Sequence, residues 1–115
     1  MSELTKIAET LEQFAVKRDW NQFHSPKNLA MALSVEVAEL VEDFQWLTEE
    51  QSTHLSQERL AKVKDEMGDV FIYLIRLASK LNIDLIAAAN QKILKNEQKY
   101  PVDKAKGNAK KYTEL

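Results

Sequence analysis

Residues 34–46 read SVEVAELVEDFQW and residues 64–74 read KDEMGDVFIYL. In both stretches apolar residues return every three or four positions, which is the period of a helix. In the first, Val37, Leu40 and Phe44 continue a stripe begun by Leu29 and Leu33. Glu36, Glu39 and Asp43 fall in a second stripe directly beside it. In the second, Val63, Met67, Val70, Leu74, Leu77 and Leu81 form the stripe, and Glu66 and Asp69 flank it with the same phase. Each acidic pair, Glu36/Glu39 and Glu66/Asp69, is spaced i, i+3, so both carboxylates share one helix face. Carboxylates at the edge of a core are rarely left without a partner.

Working outward, the same period runs through nearly the whole chain. A first helix is predicted from about Glu3 to Arg18, capped by Ser2, with Leu4, Ile7, Leu11 and Phe14 on its apolar side. A loop with two aromatics and a histidine follows, from Asp19 to His24. Ser25 caps a second helix with Pro26 at its first position, running to about Trp46. Thr48 to Gln51 has the form of a capping box and starts a short turn. A third helix is predicted from about Gln57 to Leu81, and Asp84 caps a fourth that ends before Pro101. The tail from residue 102 to 115 holds four lysines. The third helix carries Phe71, Ile72 and Ile75 away from its main stripe. A helix apolar on every side must be covered on every side, which predicts a homo-oligomer built on it.

The 115 residues amount to one ordinary domain, residues 1–115, closed by the basic tail. Two glycines and two prolines are too few for the turns of a sheet protein. The expected fold is all-α, a four-helix-bundle-like subunit that assembles into a homo-oligomer. With 44% hydrophobic and 30% charged residues and a net charge of -2, the chain has no bulk basic character for nucleic acid. No apolar run approaches the roughly 20 residues of a membrane span. The N-terminal MSELTKIAET lacks the apolar centre of a signal peptide. Cysteine is absent, which rules out thiolate metal sites and disulfides and fits a cytoplasmic location.

Four carboxylates with no histidine or cysteine among them are a hard oxygen donor set, suited to Mg²⁺ with Mn²⁺ as a substitute. A di-iron bundle would want Glu-x-x-His pairs, and neither His24 nor His54 sits in one. A Mg²⁺ cluster that keeps waters suits polyphosphate binding and hydrolysis. An E-x-x-E spacing alone is common on solvated helix faces, and Lys62 is placed for an ordinary i, i+4 pair with Glu66. Two acidic pairs of matching phase, both beside core stripes, favour the metal.

Trp20, Phe23-His24, Pro26, Asn28-Leu29, Glu36-Val37-Ala38-Glu39-Leu40 and Phe44-Gln45-Trp46 are followed by Asp65-Glu66-Met67-Gly68-Asp69-Val70, then Asn96 and Lys99-Tyr100-Pro101. In that order they resemble the MazG-like nucleoside triphosphate pyrophosphohydrolases, nearest to the dCTP pyrophosphatase branch of that all-α superfamily. The resemblance covers nearly the whole chain, including the closing Lys111-Tyr112-Thr113-Glu114-Leu115. It implies that Glu36, Glu39, Glu66 and Asp69 bind Mg²⁺ and form the catalytic centre. The implied reaction is hydrolysis of a deoxynucleoside triphosphate to the monophosphate and pyrophosphate. Val35 stands where many wider family members carry the first of two adjacent glutamates, so water activation falls to the metal and one of its carboxylates, Glu39. Trp20, His24 and Trp46 match base-pocket positions, where stacking contributes about 1–3 kcal/mol per base. Lys92 and Asn96 are implied to reach the triphosphate or sugar, and Tyr100 to border the pocket. A tetramer is favoured over a dimer. Two other readings stand beside this one: a dUTP-directed enzyme of the same superfamily, and a non-catalytic oligomeric adaptor.

Overall fold

The computed structural model describes residues 2–115, and their regular structure is entirely helical. The helices are α1 (Glu3–Lys17), α2 (Pro26–Glu42), α3 (Glu49–Ser52), α4 (Gln57–Leu81), α5 (Leu85–Lys99) and α6 (Val102–Ala105). Single 3₁₀ turns lie at Asn21–Phe23 and Tyr112–Glu114. The predicted caps hold. The Ser2, Ser25 and Asp84 side chains accept from the backbone N–H groups of Thr5, Asn28 and Ala87. Thr48 and Gln51 close a reciprocal capping box at the start of α3. Ser56 does the same service for α4 by accepting from the Arg59 N–H.

The chain divides into two compact units, Met1–Asn82 and Ile83–Leu115. In the first unit α4 packs mainly against α2 and also against α1. Its buried apolar side chains are Ala15, Leu29, Val63, Ile75 and Ala78. Ile75, read from sequence as lying off the main stripe, is thus a core residue. Met67 and Leu81, read as core, are about half exposed. In the second unit α5 is followed by α6 and the terminal turn, both within the basic tail. Lys99 Nζ lies 4.7 Å from the centre of the Tyr112 ring, and the Tyr100 and Tyr112 rings meet edge-on at 6.2 Å.

Two loop geometries position the site. α1 ends in a pair of Schellman-type bonds, Asp19 N–H to Val16 O and Trp20 N–H to Ala15 O, with Asp19 left-handed at φ 54°. That turn sends Trp20 back beside Phe14, ring centres 5.6 Å apart. α2 stops at Glu42, four residues short of the predicted Trp46. Continuing the helix would need the Leu47 N–H on the Asp43 carbonyl. That carbonyl instead accepts from Arg59 Nη1 at 2.7 Å, and Leu47 N–H goes to Phe44 O.

Candidate active site

The acids of α2 and α4 face each other across the principal helix contact of the first unit. Glu36 and Glu66 are half-buried, while Glu39 and Asp69 are exposed. Glu36 Oε2 and Glu66 Oε2 are each shut off from water, and neither has a hydrogen-bond partner. Glu36 titrates above the usual carboxylate range. Burial is the main cause, followed by its contact with Glu39 and then by the charge of Asp69. Glu66 is pushed up to about 7, first by its contact with Asp43, then by burial; Lys62 opposes this and Glu39 adds to it. The structure therefore brings all four predicted acids into mutual electrostatic range, as a seam of like charge.

Asp43 belongs to this seam and was not assigned a role from sequence, although it shares the face of Glu36 and Glu39. It is 3% exposed, and its Oδ2 is also without a partner. A carboxylate can meet Glu66 favourably when one proton is shared between them; with both ionised, neither oxygen has a donor. Lys62 is turned to Asp43, Nζ to Oδ1 at 3.4 Å, which replaces the i, i+4 pair expected with Glu66 as its closest contact. Beside Asp43 an open pocket of about 310 Å³ is lined by Asp43, Ser56, Glu58, Arg59 and Lys62. Among the described residues no three His, Cys, Asp or Glu side chains converge closely enough to enclose a metal ion.

The residues predicted for the base divide. Trp20 and His24 come together, ring centres 6.2 Å apart and edge-on, held by the turn after α1 and by the Asn28 side chain, which donates to Phe23 O at 3.0 Å. Trp46 lies past the unwound end of α2 and is 87% exposed, with no aromatic neighbour among the described residues. Phe23 is exposed as well. Lys92, Asn96 and Tyr100 lie on α5 and its C-cap in the second unit. Lys92 titrates below the usual lysine range, chiefly because of the charge of Lys99, with a smaller contribution from Lys95. Crowded ammonium groups of this kind favour an anion.

Sequence reading also passed over Arg76, buried at 3% exposure, and its partner Glu12 on α1, 2.6 Å from Arg76 Nη1. An arginine inside an apolar helix segment was the available signal, since a buried guanidinium needs acceptors.

The MazG-like family profile matches residues 31–115, which include both acidic pairs and run across both compact units. The mouse dCTP pyrophosphatase 1 is 45% identical over 114 residues, covering 97% of this chain and 67% of that protein. The human dCTP pyrophosphatase 1 is 43% identical over 114 residues, with the same shares covered. A pyrophosphatase from Archaeoglobus fulgidus superimposes with a TM-score of 0.83 at 38% identity, covering 88% of this chain and 94% of that one. The chain belongs to the MazG-like family, in the dCTP pyrophosphatase branch of the nucleoside triphosphate pyrophosphatases.

Proposed function

We propose that the acidic seam of α2 and α4 holds Mg²⁺ and that the chain cleaves dCTP-like deoxynucleoside triphosphates between the α and β phosphates. Membership of the branch makes the chain a nucleoside triphosphate pyrophosphohydrolase. The observation that carries the metal assignment is the pair of orphaned, sealed oxygens, Glu36 Oε2 and Glu66 Oε2, on facing helices. Among the described residues no Lys, Arg or His forms an ion pair with either. A divalent cation is the partner such a seam lacks, and an all-oxygen donor set suits Mg²⁺, with Mn²⁺ as substitute.

When bound, Mg²⁺ supplies charge neutralisation of the phosphates and a more acidic water. Glu36, Glu39, Glu66 and Asp69 are the donor set. Glu39, exposed yet in contact with Glu36, is placed to take the proton of the attacking water. Trp20, His24 and Trp46 receive the base. Lys92, Asn96 and Tyr100 form the phosphate and sugar face of the second unit, and the depressed titration of Lys92 supports an anionic ligand there.

The working form is a homo-oligomer of four-helix subunits, a tetramer in preference to a dimer. In support, Met31, Val35 and Val41 of α2 and Leu60, Met67 and Phe71 of α4 are each about half exposed, and a second copy would cover them. The family match over residues 31–115, with the mouse relative aligned over 97% of the chain, supports one MazG-like domain over residues 1–115. Among the described residues no helix is long and apolar enough to cross a membrane, which is consistent with a cytoplasmic site of action.

Incubation with the four common dNTPs and dUTP in Mg²⁺ tests this reading. The expected products are monophosphate and intact pyrophosphate, formed fastest from dCTP. Diphosphate with free phosphate would move the attack to the γ position and defeat the assignment. A faster reaction with dUTP would favour the uracil-directed relative.

A further inference from the structure

Arg76 lies on α4 two turns beyond Asp69, and its two terminal nitrogens reach three partners while the buried Nε has none. Nη1 donates to Glu12 Oε2 at 2.6 Å; Nη2 donates to Asn21 Oδ1 at 2.8 Å and lies 3.1 Å from His24 Nδ1. Asn21 is fixed in turn, donating to Glu12 Oε1 at 3.0 Å and accepting from Lys80 Nζ at 2.8 Å. A guanidinium carries donors and no acceptor. In the contact with Arg76, His24 Nδ1 is therefore the acceptor and carries no proton. A neutral imidazole with a bare Nδ1 holds its proton on Nε2. The ring is half-buried, and among the described residues Nε2 has no partner and is not sealed from solvent.

We propose that Arg76 is a positioning residue for base recognition: it fixes His24 as the Nε2–H tautomer, a one-way donor to the unprotonated ring nitrogen of a cytosine-type base. This rests on the reading of His24 as a base contact. Uracil and thymine carry N–H at the corresponding ring position, so the same donor meets a donor there. A site whose polarity is fixed rejects the mismatched edge because a buried group is left unpaired. The charged groups facing the ring are Arg76 and Lys80 from α4 and Glu12 from α1. Burial, then Arg76, then Lys80 hold the imidazole below the usual histidine range, and Glu12 opposes them. The donor thus stays neutral and correctly protonated at neutral pH.

Long-range ¹H–¹⁵N correlation spectra of the uniformly labelled, nucleotide-free protein read the tautomer directly. His24 is expected as a neutral Nε2–H ring throughout pH 6.5–8. Arg76→Met should give a tautomer mixture and raise the His24 pKa. It should also lower the dCTP:dUTP ratio of kcat/KM on the order of tenfold, the worth of one hydrogen bond, with the larger share in KM. An Nδ1–H or charged ring in the wild type would overturn the proposal. So would a lost tautomer preference in Arg76→Met with the nucleotide ratio unchanged. If Arg76→Met does not fold, Arg76→Lys keeps the charge and removes the planar fork. The ammonium is also a donor without an acceptor, so the Nε2–H ring and the dCTP:dUTP ratio should persist together or, where it falls short of Nδ1, be lost together; either one lost without the other would overturn the proposal. Wild-type protein that turns over neither nucleotide would remove the recognition role and the pyrophosphohydrolase reading together, while the spectra alone decide whether Arg76 locks the ring.

Discussion

Glu36→Gln is expected to abolish turnover while making the metal-free protein more resistant to heat. Glu36 is half-buried, has one sealed oxygen without a donor, and lies against Glu39 and near Asp69. As a carboxylate at pH 8 it therefore opposes the packing of α2 on α4. An amide of the same shape removes the like charge and can donate to Glu39. The melting temperature without metal should rise by a few degrees, as about 1 kcal/mol would produce in a domain of this size. Turnover should fall by at least about 10²–10³-fold, the scale of losing one electrostatic group at a reacting centre. Opposite movements of stability and activity are the mark of residues kept for function against folding. A destabilised and inactive variant would mean that Glu36 serves the packing. An active one would remove it from the metal set.

The second large effect couples protons to the cation. Glu66 has a folded pKa of about 7, above the value of a solvated glutamate, near 4.3. The folded state therefore binds a proton more tightly than the unfolded chain between those values. Its contribution to stability is present below about pH 4 and is lost as pH rises through 7. Glu36, raised as well, acts with the same sign. His24 acts with the opposite sign: its folded pKa is lowered, so its contribution is lost as pH falls below the ordinary histidine value. Comparing wild type with Glu66→Gln over pH 5 to 8 cancels the histidine effect. The variant should gain on the wild type steadily as pH rises, in the absence of metal. Mg²⁺ should then stabilise the wild type strongly at pH 8 and more weakly at pH 5, where a proton already occupies Glu66 and must be displaced. At a hundredfold excess over Kd, binding contributes about 2.7 kcal/mol, or roughly 10 °C for a domain of this length. A metal shift of equal size at both pH values would show that the ion binds somewhere other than these carboxylates.

Helix starts were readable because they are written locally. Ser2, Ser25, Thr48 and Asp84 each act within three residues of themselves. The phase of the four acids was readable for the same reason, since two periodic helices packed along their stripes must bring the flanking carboxylates together. What escaped was set by partners distant in sequence. The end of α2 was placed at Trp46 because nothing nearby announces that Arg59 will take the Asp43 carbonyl. Asp43 shared the acidic stripe in sequence, but its burial and its pairing with Lys62 depend on the packing of α4. Arg76 stood out only as an arginine in an apolar segment, and its partners could not be read because Glu12, Asn21 and His24 lie more than fifty residues before it. Ile75 and Met67 exchanged their expected places because α4 packs against both α1 and α2, a choice that a single stripe does not encode.

The central claim is that facing carboxylates of α2 and α4 hold the divalent ion. Electron paramagnetic resonance of Mn²⁺ titrated into nucleotide-free protein at pH 8 tests it most directly, because the sharp signal of the free ion falls as the ion binds. Wild-type protein should bind saturably and be displaced by Mg²⁺, while Glu36→Gln and Glu66→Gln, shown folded by circular dichroism, should each leave most of the ion free. Undiminished binding in both variants would contradict the account and place the metal elsewhere in the chain.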